Sequence, residues 1–472
     1  MNKFYITTAI PYVNGNPHIG HALEFVQTDV IARYRRLKNE EVLLLSGSDE
    51  NALKNVQAAE KAGVPVQQFI DQNAKLFIEL ADKLGIKFDV FQKGSDKRHY
   101  ESSQKLWELC AKAGDIYKKA YEGLYCVGCE TFYAPDELNE NQECFEHPGK
   151  KLEKISEENY FFKLSKYQKK ITELIEKDEL KIVPQTRKNE VLAFLKEPLQ
   201  DISISRTNER AKNWGVPVPG DDTQRIYVWF DALNIYQSGV GFGLDEEKYK
   251  KWWPADVHVI GKGIIRFHAV YWPAFLLSAG LPLPKTLFVH GYITVDGQKM
   301  SKTLGNVVDP FQLIEKYGAD AVRYYFLREI PPAEDGDFSF AKFEARYNAD
   351  LAAGLGNLVA RVLKLAEKQK PGIKNSKLQT LLDQTRKKVD SALENFQFNQ
   401  GLEAIWDVIH FCDKYIEEEK PWASPKPEVI SNLLFALTEI AGFLKPFLPE
   451  TSEKILWQLK EGKGESLFPR KA

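Results

Sequence analysis

The 472-residue chain carries a formal net charge of -2, with 43% hydrophobic and 28% charged residues. That balance excludes a disordered chain and gives no global sign of a polyanion partner, so any contact with nucleic acid must come from local basic patches. No apolar run of eighteen residues is apparent, and the N-terminus passes into strand-like sequence without a cleavable segment, so a cytoplasmic protein with no membrane association is expected.

Over the first 95 residues β-branched runs alternate with helical periodicity. Strands are expected at 3–9, 42–46 and 87–91 and helices at 17–39 and 50–62, the signature of a parallel sheet with crossover helices. Asn16 suits an N-cap and Pro17 a first helical position, which places His18 and His21 on one face of the first turn. A helix start offers amide donors to phosphate, and Gly20 leaves room for an adenine ring against backbone, so His18, Gly20 and His21 are candidate ATP ligands. The plainer alternative is two surface histidines on a capped helix.

From about 117 to 219 the alternation gives way to a cysteine-bearing, glycine-dotted insertion. Cys126 and Cys129, then Cys144 and His147, form two pairs spaced so that each knuckle turns both side chains toward one ion. Three thiolates and one imidazole close a tetrahedron, which points to structural zinc. Cys110 and Cys412 stand alone and read as core residues. Strands resume at 225–230, 257–260 and 286–290, with a helix at 264–279. Asp296-Gly297 then predicts a tight turn into a basic loop, where Lys299 and Lys302, flanking the candidate ATP ligand Ser301, could meet charge developing on departing pyrophosphate, a solvated charge patch being the alternative. After a stretch rich in proline and acid at 329–337, helical periodicity fills 341–368, 377–395, 400–419 and 428–447.

The expected fold is α/β: a Rossmann-like parallel-sheet catalytic domain split by a zinc-knuckle insertion, followed by an all-α domain. Its segments are 1–116, 117–219, 220–328, a linker at 329–349, and 350–472. Open sheets of this kind bind ligands beyond the carboxyl ends of their strands. Those ends carry Ile10 and Tyr12, then Asp49, then Trp229, Ala232, Leu233 and Tyr236, then Ile264 and His268, and finally the lysine loop. They are expected to converge on one crevice whose aromatic and aliphatic walls, with one carboxylate, suit a small apolar amino acid. Ordinary core packing is the alternative for Trp229 and Tyr236.

The His18-Ile19-Gly20-His21 motif and Lys299-Met300-Ser301-Lys302-Thr303 resemble the two signatures of class I aminoacyl-tRNA synthetases, with Thr303 where the family has serine. Tyr227-Val228-Trp229-Phe230-Asp231-Ala232-Leu233, with Gly261-Lys262, Ile264 and Phe267-His268, resembles the methionyl-tRNA synthetase family. The knuckle resembles its single-zinc subgroup, and the likeness covers essentially the whole chain. It implies a ligase that activates L-methionine with ATP, accompanied by Mg2+, and passes it to methionine tRNA. By the same resemblance Ile10, Tyr12, Trp229, Ala232, Leu233, Tyr236, Ile264 and His268 surround the thioether, and Asp49 takes the α-amino group. Arg206 matches an active-site arginine, His18, His21, Lys299 and Lys302 serve catalysis, and Asn357, Arg361 and Trp422 read the anticodon from the helical domain.

The chain departs from the family at Asn51 and Ala52, where histidine and glycine are usual, and at Gly263, where aspartate is common. No β-barrel follows the last helices, so a monomer is expected. Two rivals stand beside this reading. A class I synthetase for cysteine, isoleucine, valine or leucine is one, although the insertion is short for the editing domain of the branched-chain enzymes. A non-catalytic tRNA-binding paralogue is the other, although both signature motifs are intact.

Overall fold

A computed structural model describes residues 2–470 apart from Val127, Glu130, 134–136, 147–148, 301–304, 367–368 and Pro425. His147, Ser301 and Lys302 therefore lie outside the described residues. The chain forms two compact units, one built from residues up to Asn16, Glu40–Glu79 and Phe88–His290, the other from Pro17–Asn39, Leu80–Lys87 and Gly291 onward.

The first unit holds a six-stranded, all-parallel sheet. Its order is Val90–Lys93, Glu41–Ser48, Lys3–Thr7, Val257–Gly261, Thr286–His290 and Lys181–Val183. Ile6, Leu44, Val259, Ile260 and Val289 are fully buried, which is why these strands read as continuous apolar runs rather than alternating ones. From Lys3–Thr7 the chain steps outward to Glu41–Ser48 and Val90–Lys93 on one side, and from Val257–Gly261 it steps to Thr286–His290 on the other. The switch point of the sheet lies between them, and the ends of these two strands frame a natural crevice.

The edge strand Lys181–Val183 comes from the segment expected to be pure insertion. Three residues are too few to show a period, so sequence alone could not separate them from their surroundings. The remainder of that segment includes an antiparallel sheet ordered Thr131–Tyr133, Ile116–Cys126, Glu153–Phe162 and Ile202–Ser203. The expected strand at 225–230 is corrected: the strand Asp221–Ile226 pairs antiparallel with Ser205–Thr207 and Pro217–Val218, and Val228–Leu233 is a short helix. Its residues are buried all round, and a short apolar run gives no periodic signal to distinguish helix from strand.

In the second unit the helix Ile19–Leu37 begins two residues later than expected, with His18 rather than Asn16 as its N-cap. It is tied to the rest of that unit by Arg323. This fully buried guanidinium sits 2.8 Å from Asp29 and donates to the carbonyls of Phe447, Pro446 and Leu84. A buried ion pair of this kind specifies a partner, because losing either member leaves a charge in low dielectric. The periodic stretch at 341–368 resolves into a helix Phe340–Arg346, a π-helical segment Tyr347–Gly356 and a helix Asn357–Ala366. Helices Ser376–Glu394, Phe398–Glu419, Pro427–Leu444 and Pro449–Glu461 complete the unit. Pro427–Leu444 is long and apolar enough by composition to cross a membrane, but most of it is buried inside the protein, with Leu433, Leu437, Ile440 and Leu444 in the core. It is the central helix of a bundle.

Candidate active site and metal cluster

The strand Lys3–Thr7 continues into Ile10, Pro11 and Tyr12, and Tyr12 forms a parallel bridge with Asp49 at the end of the neighbouring strand. The Asp49 amide donates to the Pro11 carbonyl at 2.9 Å, and the Asp49 carbonyl accepts from Asn55 Nδ2 at 2.9 Å. This main chain is locked at the mouth of the crevice, and the Asp49 carboxylate is almost wholly buried. A carboxylate set in such surroundings is a strong receptor for an ammonium group.

The apolar wall is equally constrained. Tyr12 and Trp229 meet edge to face with centroids 6.2 Å apart, and Trp229 lies flat on Phe267 at 3.7 Å. Trp229 and Leu233 are in the core of the unit, with Ile10, Tyr12 and Ile264 packed against it, and Ala232 is buried on the same short helix as Trp229. All nine residues expected around the thioether and its ammonium therefore belong to this unit. Phe267, which supplies a full stacking face, was visible in sequence only as the neighbour of His268.

The floor of the wall is polar. His268 Nδ1 faces the Ile264 carbonyl at 3.0 Å, and because a carbonyl only accepts, the ring proton is on Nδ1. Nε2 is then the acceptor, and the Tyr236 hydroxyl donates to it at 2.8 Å. Complete burial lowers the His268 pKa to about 4, so the ring stays neutral. Tyr236 is held in turn by Tyr5, whose hydroxyl donates to the Tyr236 carbonyl at 2.6 Å. His258 lies beneath, its ring centroid 4.3 Å from that of Tyr236 and its Nδ1 2.7 Å from Thr7 Oγ1, and burial drives its pKa well down.

A second buried network fixes the helix carrying Trp229. Asp231 receives Asn51 Nδ2 at 2.6 Å, Ser103 Oγ at 2.7 Å and His99 Nε2 at 2.9 Å. Asn51 also donates to the Gly94 carbonyl and accepts from Tyr100, so the side chain that departs from the family pattern is fully used. Ala52 caps the helix Leu53–Ala62 without a side-chain bond, and Gly263 lies in a 3-10 turn at Lys262–Ile264. Nothing in sequence distinguished His99 or Ser103, which contribute through contacts made at long range.

Cys126, Cys129 and Cys144 form the one group of three or more potential metal ligands among the described residues, their sulfurs all within 4.8 Å of one another. The Cys126–Cys144 and Cys129–Cys144 separations are 3.2 and 3.7 Å. A tetrahedral centre with metal–sulfur bonds of about 2.3 Å needs sulfurs about 3.8 Å apart, so the three fit a single ion. A side-chain hydrogen bond with Cys126, then burial, pushes the Cys129 thiol up, as expected of crowded thiols. The Trp229 indole donates to the Cys129 carbonyl at 3.4 Å, linking the knuckle to the aromatic wall.

His18, His21 and Lys299 belong to the second unit. His18 Nδ1 accepts from Gly20 N, and His21 Nδ1 accepts from His18 N, both at 3.1 Å, in a reciprocal capping box. The rings stack at 3.9 Å, and with each Nδ1 accepting, the proton of each neutral ring is on Nε2. Gly20 has a local reason as well, since a Cβ there would come within 2.9 Å of His18 Cε1. The expected tight turn is present: Asp296 and Gly297 both adopt positive φ, and Ile293–Val295 pairs with Gln298–Lys299. Asp337 receives the Gly297 amide at 2.7 Å and Thr294 Oγ1 at 2.7 Å, and the amide bond holds its carboxyl below the usual range.

Arg206 is buried on the strand Ser205–Thr207, its guanidinium 4.5 Å from the Tyr227 ring. In the helical unit Asn357 lines a cavity of about 680 Å³ whose far side is the C-terminal segment around Phe468. Arg361, one turn on, instead pairs with Glu417, and Trp422 lies half exposed 5.9 Å from the Arg361 guanidinium.

Comparison with known proteins agrees along the whole chain. Residues 4–363 match the family described as tRNA synthetases class I (M), and residues 376–471 match the anticodon-binding domain of tRNA ligases. The methionine–tRNA ligase of Brucella suis is 41% identical over 96% of this chain and 91% of its own length. That of Mesorhizobium japonicum is 43% identical over 96% and 90%. The structure of Mycobacterium tuberculosis methionyl-tRNA synthetase in complex with methionyl-adenylate superposes with a TM-score of 0.92 at 38% identity, covering 100% of this chain and 99% of that one.

Proposed function

Because the chain belongs to the class I (M) family of tRNA synthetases, we propose that it is a methionine–tRNA ligase, joining L-methionine to methionine tRNA at the expense of ATP. The observation that carries this reading is the strand ends at the switch point, where buried Asp49 is bridged to Tyr12 and Tyr12 meets a Trp229 stacked on Phe267. Asp49 takes the methionine ammonium. Ile10, Tyr12, Trp229, Ala232, Leu233, Tyr236, Ile264 and His268 surround the side chain, and aromatic faces favour a polarisable sulfur over a plain hydrocarbon.

In the first step the methionine carboxylate attacks the α-phosphorus of ATP, and the bond to pyrophosphate breaks in line. His18 and His21, with Nδ1 engaged by main-chain amides, offer Nε2–H to the phosphates over Gly20. Lys299, Ser301 and Lys302 meet the charge on the departing pyrophosphate, and Mg2+ travels with the nucleotide. In the second step a tRNA ribose hydroxyl attacks the acyl carbon, and AMP leaves. Positioning and charge stabilisation suffice for both steps, without a dedicated acid or base. Arg206, which matches an active-site arginine of the family, is assigned to the same reaction.

Cys126, Cys129, Cys144 and His147 would hold zinc, and its role would be structural, since four protein ligands would leave no position for water. Asn357, Arg361 and Trp422 read the anticodon through unpaired base edges and stacking. The same reading makes the enzyme a cytoplasmic monomer, which light scattering at working concentration tests.

Methionine-dependent exchange of pyrophosphate into ATP is the decisive assay. Exchange with methionine and none with cysteine, leucine or isoleucine is expected. Exchange with another of these amino acids assigns a sister specificity, and no exchange at all makes the chain a binding protein on a synthetase fold.

A further inference from the structure

His18 caps the helix Ile19–Leu37 and His21 is in its first turn, so the two imidazoles lie wherever that helix is held. Its middle is held by charge. Asp29, about two turns beyond His21 and roughly 12 Å along the axis at 1.5 Å per residue, is buried. One of its carboxylate oxygens meets two guanidinium groups, that of Arg33 one turn on at 2.7 Å and that of Arg323, on the helix Ala319–Arg328, at 2.8 Å. Arg323 is fully buried and also donates to the main-chain carbonyls of Phe447, Pro446 and Leu84, at 2.8, 3.1 and 3.2 Å. Arg33 donates to the adjoining Gly85 carbonyl. Asp320, one turn before Arg323, accepts the Thr451 amide at 2.6 Å, in the first turn of the helix Pro449–Glu461. Segments far apart in sequence thus meet around one guanidinium, and all of them belong to the second unit.

Such a hub is a poor device for stability, because replacing a buried ion pair by well-packed apolar side chains is often neutral or stabilising. What it adds is direction. Apolar packing tolerates a small slide of one helix on another, whereas a planar guanidinium set against one carboxylate and three carbonyls does not. The helix fixed in this way is the one whose first turn offers two Nε2–H groups to the phosphates, and a misplacement of about 1 Å can cost about a hundredfold in rate. We propose that Arg323 and Asp29 are positioning residues for adenylate formation, holding the helix so that His18 and His21 meet the phosphates in the transition state. The proposal rests on the reading above that the chain activates methionine with ATP. Both residues act through the helix rather than on substrate. The far end of the same helix offers a contrast, since Arg35 and Tyr34 there meet an exposed Glu394, in a pair that solvent weakens.

The test uses the full chain with Asp29→Asn, Arg323→Lys and, as the control at the far end, Glu394→Gln. Asp29→Asn keeps the size of the side chain and leaves Arg323 its three carbonyls. In methionine-dependent pyrophosphate exchange its kcat/KM for ATP should fall about tenfold. Affinity for methionine alone, measured by equilibrium dialysis, should stay level, because Asp49 and the aromatic wall are in the first unit. Arg323→Lys keeps the charge but loses the fork, so it should show the same loss rather than restore the rate. Glu394→Gln should leave the ATP kinetics unchanged. All rates are taken well below the lowest melting temperature, which separates misplacement from unfolding, and if Arg323→Lys does not fold, Asp29→Asn decides alone. Three results overturn the proposal: variants that melt earlier yet keep their ATP kinetics, methionine affinity that falls as far as kcat/KM for ATP, or an equal loss in Glu394→Gln. Failure of the underlying reading looks different, since the unaltered protein would then show no methionine-dependent exchange.

Discussion

Tyr236 and His268 in the first unit are nearly inaccessible, and the hydroxyl and both ring nitrogens of this pair are committed to partners before any ligand arrives. In the second unit Trp422 is 51% exposed, and Arg361 rests on an exposed Glu417. On the proposed function the difference follows from what each would recognise. A thioether offers little beyond shape and polarisability, so selectivity must come from walls that cannot relax, and buried hydrogen bonds hold them. An unpaired RNA base brings its own polar edges and a flat face, so exposed groups that gain partners on contact are enough.

The comparison can be broken first at Asp49. Asp49→Ala should lower kcat/KM for methionine-dependent exchange by about a thousandfold, roughly 4 kcal/mol, as expected when one member of a buried charge pair is removed. A loss below tenfold would mean that the ammonium sits elsewhere. Next, Asp231→Ala strands the donors of Asn51, Ser103 and His99 and should cost about 3 kcal/mol of stability, read from denaturant unfolding. An unchanged midpoint would show that this network is slack.

Metal removal, or Cys144→Ser, should raise KM for methionine by about thirtyfold. The knuckle carries the Cys129 carbonyl that fixes Trp229, and losing that bond with part of its ring stacking is worth about 2 kcal/mol. Trp422→Ala should weaken tRNA binding by about 1–2 kcal/mol, with aminoacylation affected more than exchange. The last effect appears only as the pH falls. His268 has a folded pKa of about 4, against 6.5 for an ordinary histidine, so its neutral form costs nothing above 6.5. Between 6.5 and 4 the unfolded chain binds the extra proton, and stability falls by about 1.4 kcal/mol per pH unit for this group. His268→Gln should flatten that slope in thermal melts across the same window.

Much of this was legible locally. The Asp296-Gly297 turn and the gathering of Cys126, Cys129 and Cys144 each depend on a few neighbouring residues, and the structure has them as expected. The start of the first helix was misread because proline suits a first turn in general, whereas His18 caps this one with its own ring. Asn51 was flagged as a departure, yet its role depends on Asp231, 180 residues away.

By itself the sequence determined the class of sheet, the cysteine cluster, the two signature motifs and the family likeness, since each is written in short-range spacing that the unfolded chain already carries. Only the tertiary structure decided that Lys181–Val183 completes the sheet, that Asp231 is held by His99 and Ser103, and that Arg206 faces Arg225 across a strand pair. Those choices depend on which surfaces can be buried together with their polar groups satisfied, a condition on the whole chain that no local pattern records.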